Sequence, residues 1–122
     1  VGRRNLMQHA TYVSGTFGGE AVSLAAAKAT IEVFRQEPVI KTMWQAGETL
    51  IRSFNALQSP LTMTGYPVHP RIIGKGRDRF ISLLAQEGVL WHPAGSNISY
   101  SHGDMDIAAT MRACERALER LS

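Results

Sequence analysis

Apolar residues recur at steps of three and four positions in four stretches of the chain, and this spacing predicts four amphipathic helices. The predicted helices run from about residue 20 to 35, 38 to 58, 77 to 86 and 103 to 121. Pro38 separates the first two, because proline is tolerated in the first turn of a helix but not in its interior. Gly47 lies on the apolar stripe of the second helix, where we expect another helix to cross closely.

Between Ser59 and Gly76 the helical spacing gives way to closely spaced prolines and glycines, which indicate short strands joined by turns. Four short segments are predicted to be strands, namely residues 61–66, 71–73, 89–91 and 98–100. Gly88 is predicted to cap the third helix, and Ser101 is predicted to form a capping box with Asp104 before the fourth. The order of elements predicts an α+β fold, a small, mainly antiparallel sheet with amphipathic helices packed on one face.

The composition is that of a folded chain without disulfides. Of the 122 residues, 44% are hydrophobic and 19% are charged, which favours a packed core over disorder. Cys114 is the only cysteine, and no apolar run approaches the roughly 20 residues that cross a bilayer. These features predict a cytoplasmic protein with no membrane partner, although a cysteine-poor secreted protein would have the same composition. The absence of an initiator Met before Val1 suggests a processed or truncated chain.

The formal net charge of +3 raises the question of nucleic-acid binding, because clustered Lys and Arg residues neutralise phosphates. One cluster is present, consisting of Arg71, Lys75, Arg77 and Arg79. The other basic residues alternate with acidic ones along the predicted helices. We therefore interpret the cluster as a solvated basic loop and expect no nucleic-acid partner.

The segment Ser14–Glu20, which reads Ser-Gly-Thr-Phe-Gly-Gly-Glu, directly precedes the first predicted helix. A helix start offers unpaired backbone N–H groups and a partial positive charge, so it is suited to a phosphate or a carboxylate. Glycine lets the backbone approach an anion closely, and the Thr16 hydroxyl adds a donor. The same residue types are also common as simple helix caps, and the residues alone leave both interpretations open.

The same segment, with the small-residue helix Val22–Ala27 after it, closely resembles the segment that follows the cofactor lysine in class III pyridoxal-phosphate (PLP)-dependent aminotransferases. The similarity is greatest to the glutamate-1-semialdehyde aminomutase branch. Further segments resemble the same family in the expected order, namely Val1–Met7, Pro38–Ile40 with Trp44–Leu50, and Gly88–Leu90 with Ser99–Ile107. The chain departs from the commonest family pattern at Gly18-Gly19-Glu20, where many members carry Gly-Asn-Pro.

The resemblance implies a cofactor, a fold and a partner. It implies that residues 1–18 are a remnant of the large-domain and interface segment, and that residues 19–122 form the C-terminal small domain of a fold-type I PLP enzyme. It also implies a homodimer in which Gly15 and Thr16 bind the cofactor phosphate of the neighbouring subunit. Ser14 and Phe17 are less certain neighbours of that site.

The resemblance also implies that the Schiff-base lysine lies upstream of Val1. Lys28, Lys41 and Lys75 are the lysines of this chain, and none has the family's lysine context. An amine nucleophile must face the cofactor and have a lowered pKa. We therefore expect no catalytic residue in this chain and no activity from the chain alone.

The remaining candidate residues favour structural roles. The four histidines have no metal-ligand spacing, and His102 beside Ser101 lacks the glycine-flanked nucleophile of a hydrolase. The sequence Gly74-Lys75-Gly76 is too short for a phosphate-binding P-loop. Core positions are predicted for three further side chains, Trp44, Trp91 and Cys114.

The leading hypothesis is that the chain is the C-terminal part of a PLP-dependent aminotransferase or aminomutase, which is a transferase or an isomerase. In this hypothesis the chain contacts the large domain of the intact enzyme. An alternative is a stand-alone domain, derived from that family, that binds an anion or a protein without catalysis. A third and weaker hypothesis is a small nucleic-acid-binding module that uses Arg71 to Arg79.

Overall fold

The computed structural model describes residues 4–9 and 19–121 of the chain. The elements, in chain order, are α1 (Arg4–Met7), α2 (Ala21–Gln36), α3 (Val39–Asn55), β1 (Leu61–Tyr66), β2 (His69–Gly74), α4 (Arg77–Gln86) and α5 (Asp104–Glu119). None of the described helices is long and apolar enough to cross a bilayer.

The chain divides into two compact units, Val1–Glu37 and Pro38–Ser122. Pro38 is the N-cap of α3, as expected for a residue that separates two helices. The boundary predicted between residues 18 and 19 lies at the edge of the residues that are not described, and it stays a prediction.

In the first unit, α2 is a regular helix whose 16 residues are all exposed. Its last turn closes with a hydrogen bond from the Glu37 N–H to the Val33 carbonyl, 2.9 Å long. Apolar side chains that would usually be buried therefore face outward among the described residues, including Leu24, Ile31 and Phe34, which are 58%, 53% and 48% exposed.

The second unit packs three helices around a β-hairpin, which confirms the predicted α+β class. Strands β1 and β2 are antiparallel, with Met63 opposite Ile72 and Gly65 opposite Pro70. One face of the hairpin is buried in a continuous apolar core. That core comprises Leu50, Phe54, Leu61, Met63, Ile72, Phe80, Leu83, Leu84, Trp91, Ile98, Ile107, Ala113, Cys114 and Ala117.

Two aromatic rings lie at the centre of this core. Phe54 from α3 and Phe80 from α4 are both fully buried, with ring centroids 5.8 Å apart and an interplanar angle of 68°. This edge-to-face arrangement is the favoured one for aromatic pairs and contributes about 1 kcal/mol beyond the burial of apolar area. It fixes α3 and α4 against the same face of the hairpin.

Gly47 makes a close approach, but its partner differs from the one predicted. A Cβ placed on Gly47 would lie 1.8 Å from the carbonyl oxygen of Pro67, in the turn between β1 and β2. The prediction of a helix crossing is therefore wrong. The hairpin turn, rather than a helix, rests on α3, and its backbone comes nearer than any side chain would allow.

The free edge of β1 is closed by side chains. The Asn55 amide accepts a hydrogen bond from the Met63 N–H (2.8 Å) and donates one to the Met63 carbonyl (2.9 Å). The Ser59 hydroxyl does the same for Leu61, with distances of 3.2 and 3.0 Å. The backbone groups of Leu61 and Met63 that face away from β2 therefore have partners, at an edge that would otherwise accept another strand.

The strands predicted at 89–91 and 98–100 are wrong. The segment after α4 does approach β2, because the Ser96 N–H donates to the Pro70 carbonyl (3.1 Å) and the Ile98 N–H donates to the Val68 carbonyl (3.0 Å). Pro70 has no N–H to return and Val68 donates none to this segment, so the ladder of a third strand is not completed. In residues 89–91, the Val89 N–H is used to cap α4.

Both predicted caps can be compared with the structure. Gly88 has φ +85°, its N–H donates to Ala85, and the next N–H donates to Leu84, so the predicted C-terminal cap is confirmed. The capping box predicted from Ser101 is wrong. Gly103 is the N-cap of α5, and its N–H donates to the Asp106 carboxylate at 3.0 Å.

Helices α4 and α5 are also joined by ion pairs at the surface. The Glu87 carboxylate accepts from Arg116 Nε (2.6 Å) and from Arg120 Nη1 (3.0 Å). The second guanidinium also donates to Gln86 at 2.6 Å. These hydrogen bonds, with that from Arg116 the largest effect, lower the pKa of the Glu87 carboxyl.

Candidate functional site

The residues predicted to bind the cofactor phosphate lie outside the described part of the chain. Gly15 and Thr16, with their neighbours Ser14 and Phe17, fall in the segment 10–18, of which no structure is described. Their assignment stays a prediction. The structure does describe the helix that follows this segment, and its first turn can be compared with what an anion would need.

The first turn of α2 carries its own anion. Gly19 has φ +85°, and the next residue, Glu20, is the N-cap of the helix. The Glu20 carboxylate accepts from the backbone N–H groups of Val22 (2.9 Å) and Ser23 (2.8 Å) and from the Ser23 hydroxyl (2.8 Å). The bond from the Val22 N–H, followed by those from Ser23, lowers the pKa of the Glu20 carboxyl.

The N–H groups of Val22 and Ser23 are therefore not available to a phosphate. The N–H donors of Val22 and Ser23 are already used, and a second anion there would be repelled by the ionised Glu20 carboxylate. Of the two interpretations that the residues left open, the described turn supports the helix cap. The physical reason lies in the Glu20 side chain, a residue type uncommon as an N-cap, which folds back onto its own helix.

The three lysines of the chain all lie at the surface of the described residues. Lys28 is in α2, Lys41 is in the first turns of α3, and Lys75 follows β2. A lysine that forms a Schiff base is usually desolvated, since desolvation lowers the pKa of its amine. None of the three has such surroundings among the described residues.

Two of the histidines, His92 and His102, are used in local hydrogen bonds. His92 Nδ1 accepts from the Ala94 N–H at 3.1 Å, and His102 Nδ1 accepts from the Ser99 N–H at 3.0 Å. His102 therefore fixes the turn before α5. Within residues 4–9 and 19–121, no three His, Cys, Asp or Glu side chains are grouped so that they could hold a metal ion.

His69 makes a longer-range contact that sequence reasoning missed. Its Nδ1 lies 2.7 Å from Asn97 Oδ1, although the two residues are 28 positions apart. The contact joins β2 to the loop before α5. No local motif pointed to it, because the pairing depends on the turn that starts at His92, where the Gly95 N–H donates to the His92 carbonyl at 2.9 Å.

The basic cluster does not form a set of four free cations. Arg77 pairs with Asp78 at 2.7 Å, and Arg79 Nη2 donates to the Arg120 carbonyl at 3.4 Å. Gly76, beside Lys75, is the N-cap of α4 and has φ +88°. Glycine is favoured at this position because other residues rarely adopt that backbone conformation. The geometry supports the interpretation of a surface loop over a phosphate-binding one.

The predicted core side chains divide into two groups. Cys114 is fully buried, and burial, with a smaller effect of Glu115, raises the pKa of its thiol to about 12, so it is an unreactive core thiol. Trp91 is also buried, as predicted. The prediction for Trp44 is wrong, because it is 39% exposed. Apart from Val39, the buried residues of α3 begin only at Gly47, where the hairpin turn reaches the helix.

Two comparisons with known proteins bear on the family. No family model matches the chain. A solved structure, the PLP internal aldimine form of the FumI protein from Sphingopyxis sp. MTA144, matches 97% of this chain with a TM-score of 0.84 and 26% sequence identity. The chain spans 31% of the length of that protein. This match supports the interpretation that the chain is built as one part of a larger PLP-dependent enzyme.

Proposed function

We propose that this chain is the C-terminal part of a class III PLP-dependent aminotransferase or aminomutase, similar to glutamate-1-semialdehyde aminomutase. The observation that carries the proposal is the match of 97% of the chain to part of FumI, a protein solved in a PLP-bound form. The sequence segments that resemble the family, in the family's order, support it independently. The intact enzyme transfers an amino group, and the chain alone is inactive.

In this proposal the chain contributes binding and support. PLP, when bound, acts as an electron sink for reactions at the carbon that carries the amino group. Gly15 and Thr16 hold the phosphate of the neighbouring subunit's cofactor through their N–H groups and the Thr16 hydroxyl. Because Glu20 uses the donors at the start of α2, this phosphate site lies upstream of Glu20. The unit Pro38–Ser122 contributes a compact part of the small domain.

We also propose a homodimer and an interface with the enzyme's large domain. The support is the exposure of apolar side chains on α2, where Leu24, Ile31 and Phe34 lie at the surface of the described residues. Apolar surface of this kind usually marks a protein interface. A nucleic-acid or membrane partner has no comparable support.

The first experiment treats the 122-residue chain with PLP and borohydride and maps any adduct by mass spectrometry. We expect no stoichiometric labelling of Lys28, Lys41 or Lys75 and no amino-group transfer. The reading frame upstream of Val1 should encode a large domain with the cofactor lysine. Full labelling of one lysine together with turnover would contradict the proposal. A start codon close to Val1 would favour the stand-alone binding domain instead.

The second experiment tests the phosphate site in the longer protein. Thr16→Val keeps the shape of the side chain and removes its hydroxyl, so PLP affinity should fall by about tenfold. Thr30→Val is the matched control, because the Thr30 hydroxyl donates only to the Ala26 carbonyl of its own helix among the described contacts. Equal PLP affinity for both variants would rule out Thr16 as a phosphate ligand.

A further inference from the structure

Arg71 lies on the exposed face of the hairpin, opposite Thr64 on β1. Its guanidinium makes no ion pair with any carboxylate among residues 4–9 and 19–121. Other arginines of the described chain do pair with carboxylates, namely Arg35 with Glu32, Arg77 with Asp78, and Arg116 and Arg120 with Glu87. Within the described chain, the positive charge and the N–H donors of the Arg71 guanidinium are therefore available to a ligand.

Two glycines from different parts of the chain leave room for the Arg71 side chain. A Cβ on Gly95 would lie 2.7 Å from Arg71 Cγ, and a Cβ on Gly65 would lie 3.8 Å from Arg71 Nε. Gly95 has φ +121° and is buried, so its conformation also favours glycine. The stem of Arg71 thus lies against backbone, which restricts its rotamers before any ligand binds and reduces the entropy cost of binding.

Arg71 borders a surface cavity of ≈ 430 Å³, which is lined by Gly65, Tyr66, His69, Arg71 and Ala94. No Asp or Glu is among these residues, so the local charge is positive. The His69 ring is held in place by Asn97, 2.7 Å away. Tyr66, which is 73% exposed, adds an aromatic surface beside the cation.

We propose that this cavity binds an organic carboxylate, with the Arg71 guanidinium as its ligand and Tyr66 in contact with the carbon chain. The planar fork of an arginine matches the two oxygens of a carboxylate, and the single charge matches a monoanion. An unpaired guanidinium on a stem that lies against Gly95 is suited to this role. The proposal uses only residues of the unit Pro38–Ser122 and is independent of the PLP function.

The experiment titrates the isotopically labelled 122-residue chain with acetate, hexanoate, hexanamide and inorganic phosphate. The signals of the Arg71 Nε–H and the His69 ring report on the cavity by NMR. We expect saturable shifts with hexanoate, weaker binding of acetate because it has no chain to contact Tyr66, and no binding of hexanamide. Arg71→Gln should weaken hexanoate binding by about tenfold or more.

Arg52→Gln is the matched control, since Arg52 lies on α3 and lines no part of this cavity. It should leave hexanoate binding unchanged, and both variants should keep the amide spectrum of the folded chain. Equal binding of phosphate and hexanoate would mean a nonspecific attraction of anions and would overturn the proposal. An unchanged affinity in Arg71→Gln, or no saturable shift at these two residues, would overturn it as well.

Discussion

The Asn55 side-chain amide hydrogen-bonds to both backbone groups of Met63: it accepts from the N–H at 2.8 Å and donates to the carbonyl at 2.9 Å. A peptide group from a neighbouring strand would make the same two bonds. The edge of β1 is thus closed by a helix residue, which also ties the C-terminal turn of α3 to the hairpin.

Replacing Asn55 with Leu should leave two backbone groups of Met63 without partners. We expect the free energy of unfolding to fall by about 2 kcal/mol, measured by urea denaturation, since each unpaired buried polar group costs about 1–3 kcal/mol. Gln45→Leu, at an exposed position on the same helix, is the control and should change stability little. A loss in Asn55→Leu no larger than in the control would show that water replaces the amide.

Gly47→Ala should be among the most damaging single substitutions in this unit. The new methyl group would lie 1.8 Å from the Pro67 carbonyl oxygen and 2.4 Å from its carbon, and both atoms belong to backbone that cannot rotate away. We expect a loss of about 3 kcal/mol or failure to fold. Gly103→Ala is the control, because a Cβ there would meet only Asp106 Oδ2 at 3.9 Å. Equal thermal stability of the two variants would contradict the close approach at Pro67.

The ion pairs of Glu87 predict a pH dependence with a definite sign. Because Arg116 and Arg120 lower the pKa of the Glu87 carboxyl in the folded chain, their stabilisation is complete above the ordinary glutamate pKa of about 4.3. It is lost as the pH falls through the lower folded value. Glu87→Gln should therefore have a lower melting temperature at about pH 6 and a smaller loss on acidification to about pH 3.

Glu119→Gln is the control for this pH series, since Glu119 makes no ion pair with a described residue. Its melting curve should follow that of the unmodified chain at each pH. The same dependence on pH in the Glu87 and Glu119 variants would mean that the pairing between α4 and α5 contributes nothing to stability.

The exposed apolar side chains of α2 predict self-association of the chain. Ile31→Ser should reduce it, measured by sedimentation at micromolar concentration, because Ile31 shares a helix face with Leu24 and Phe34. Val33→Ser is the control, since Val33 is 42% exposed but lies on the opposite side of the helix. A chain that is monomeric at all concentrations would remove the support for a dimer through this face.

Elements with strong local signals could be predicted from the sequence, and elements that depend on distant partners could not. Strand β1 and helix α4 have the predicted bounds, because alternating apolar residues and flanking glycines mark them locally. The strand expected at 89–91 is absent because the Val89 N–H caps α4, and the one expected at 98–100 is absent because neither Val68 nor Pro70, both far away in sequence, donates back to that segment.

The candidate sites follow the same division. The segment before α2 was recognisable as a possible anion site, but the sequence did not reveal that the Glu20 carboxylate takes the donors of the first turn. Arg71 was grouped with its neighbours in a basic cluster. What distinguishes Arg71 from the other basic residues is the packing of its side chain near Gly65 and Gly95, which come together only in the folded hairpin and loop.

Pro70 contributes to keeping the sheet at two strands. It pairs with β1 opposite Gly65, and its carbonyl accepts from the Ser96 N–H on its other side. Neither Pro70, which has no N–H, nor Val68 donates back to the segment that carries Ser96 and Ile98. That segment therefore follows the hairpin through its own N–H groups without becoming a strand, and a loop side chain such as Asn97 can reach His69 on β2.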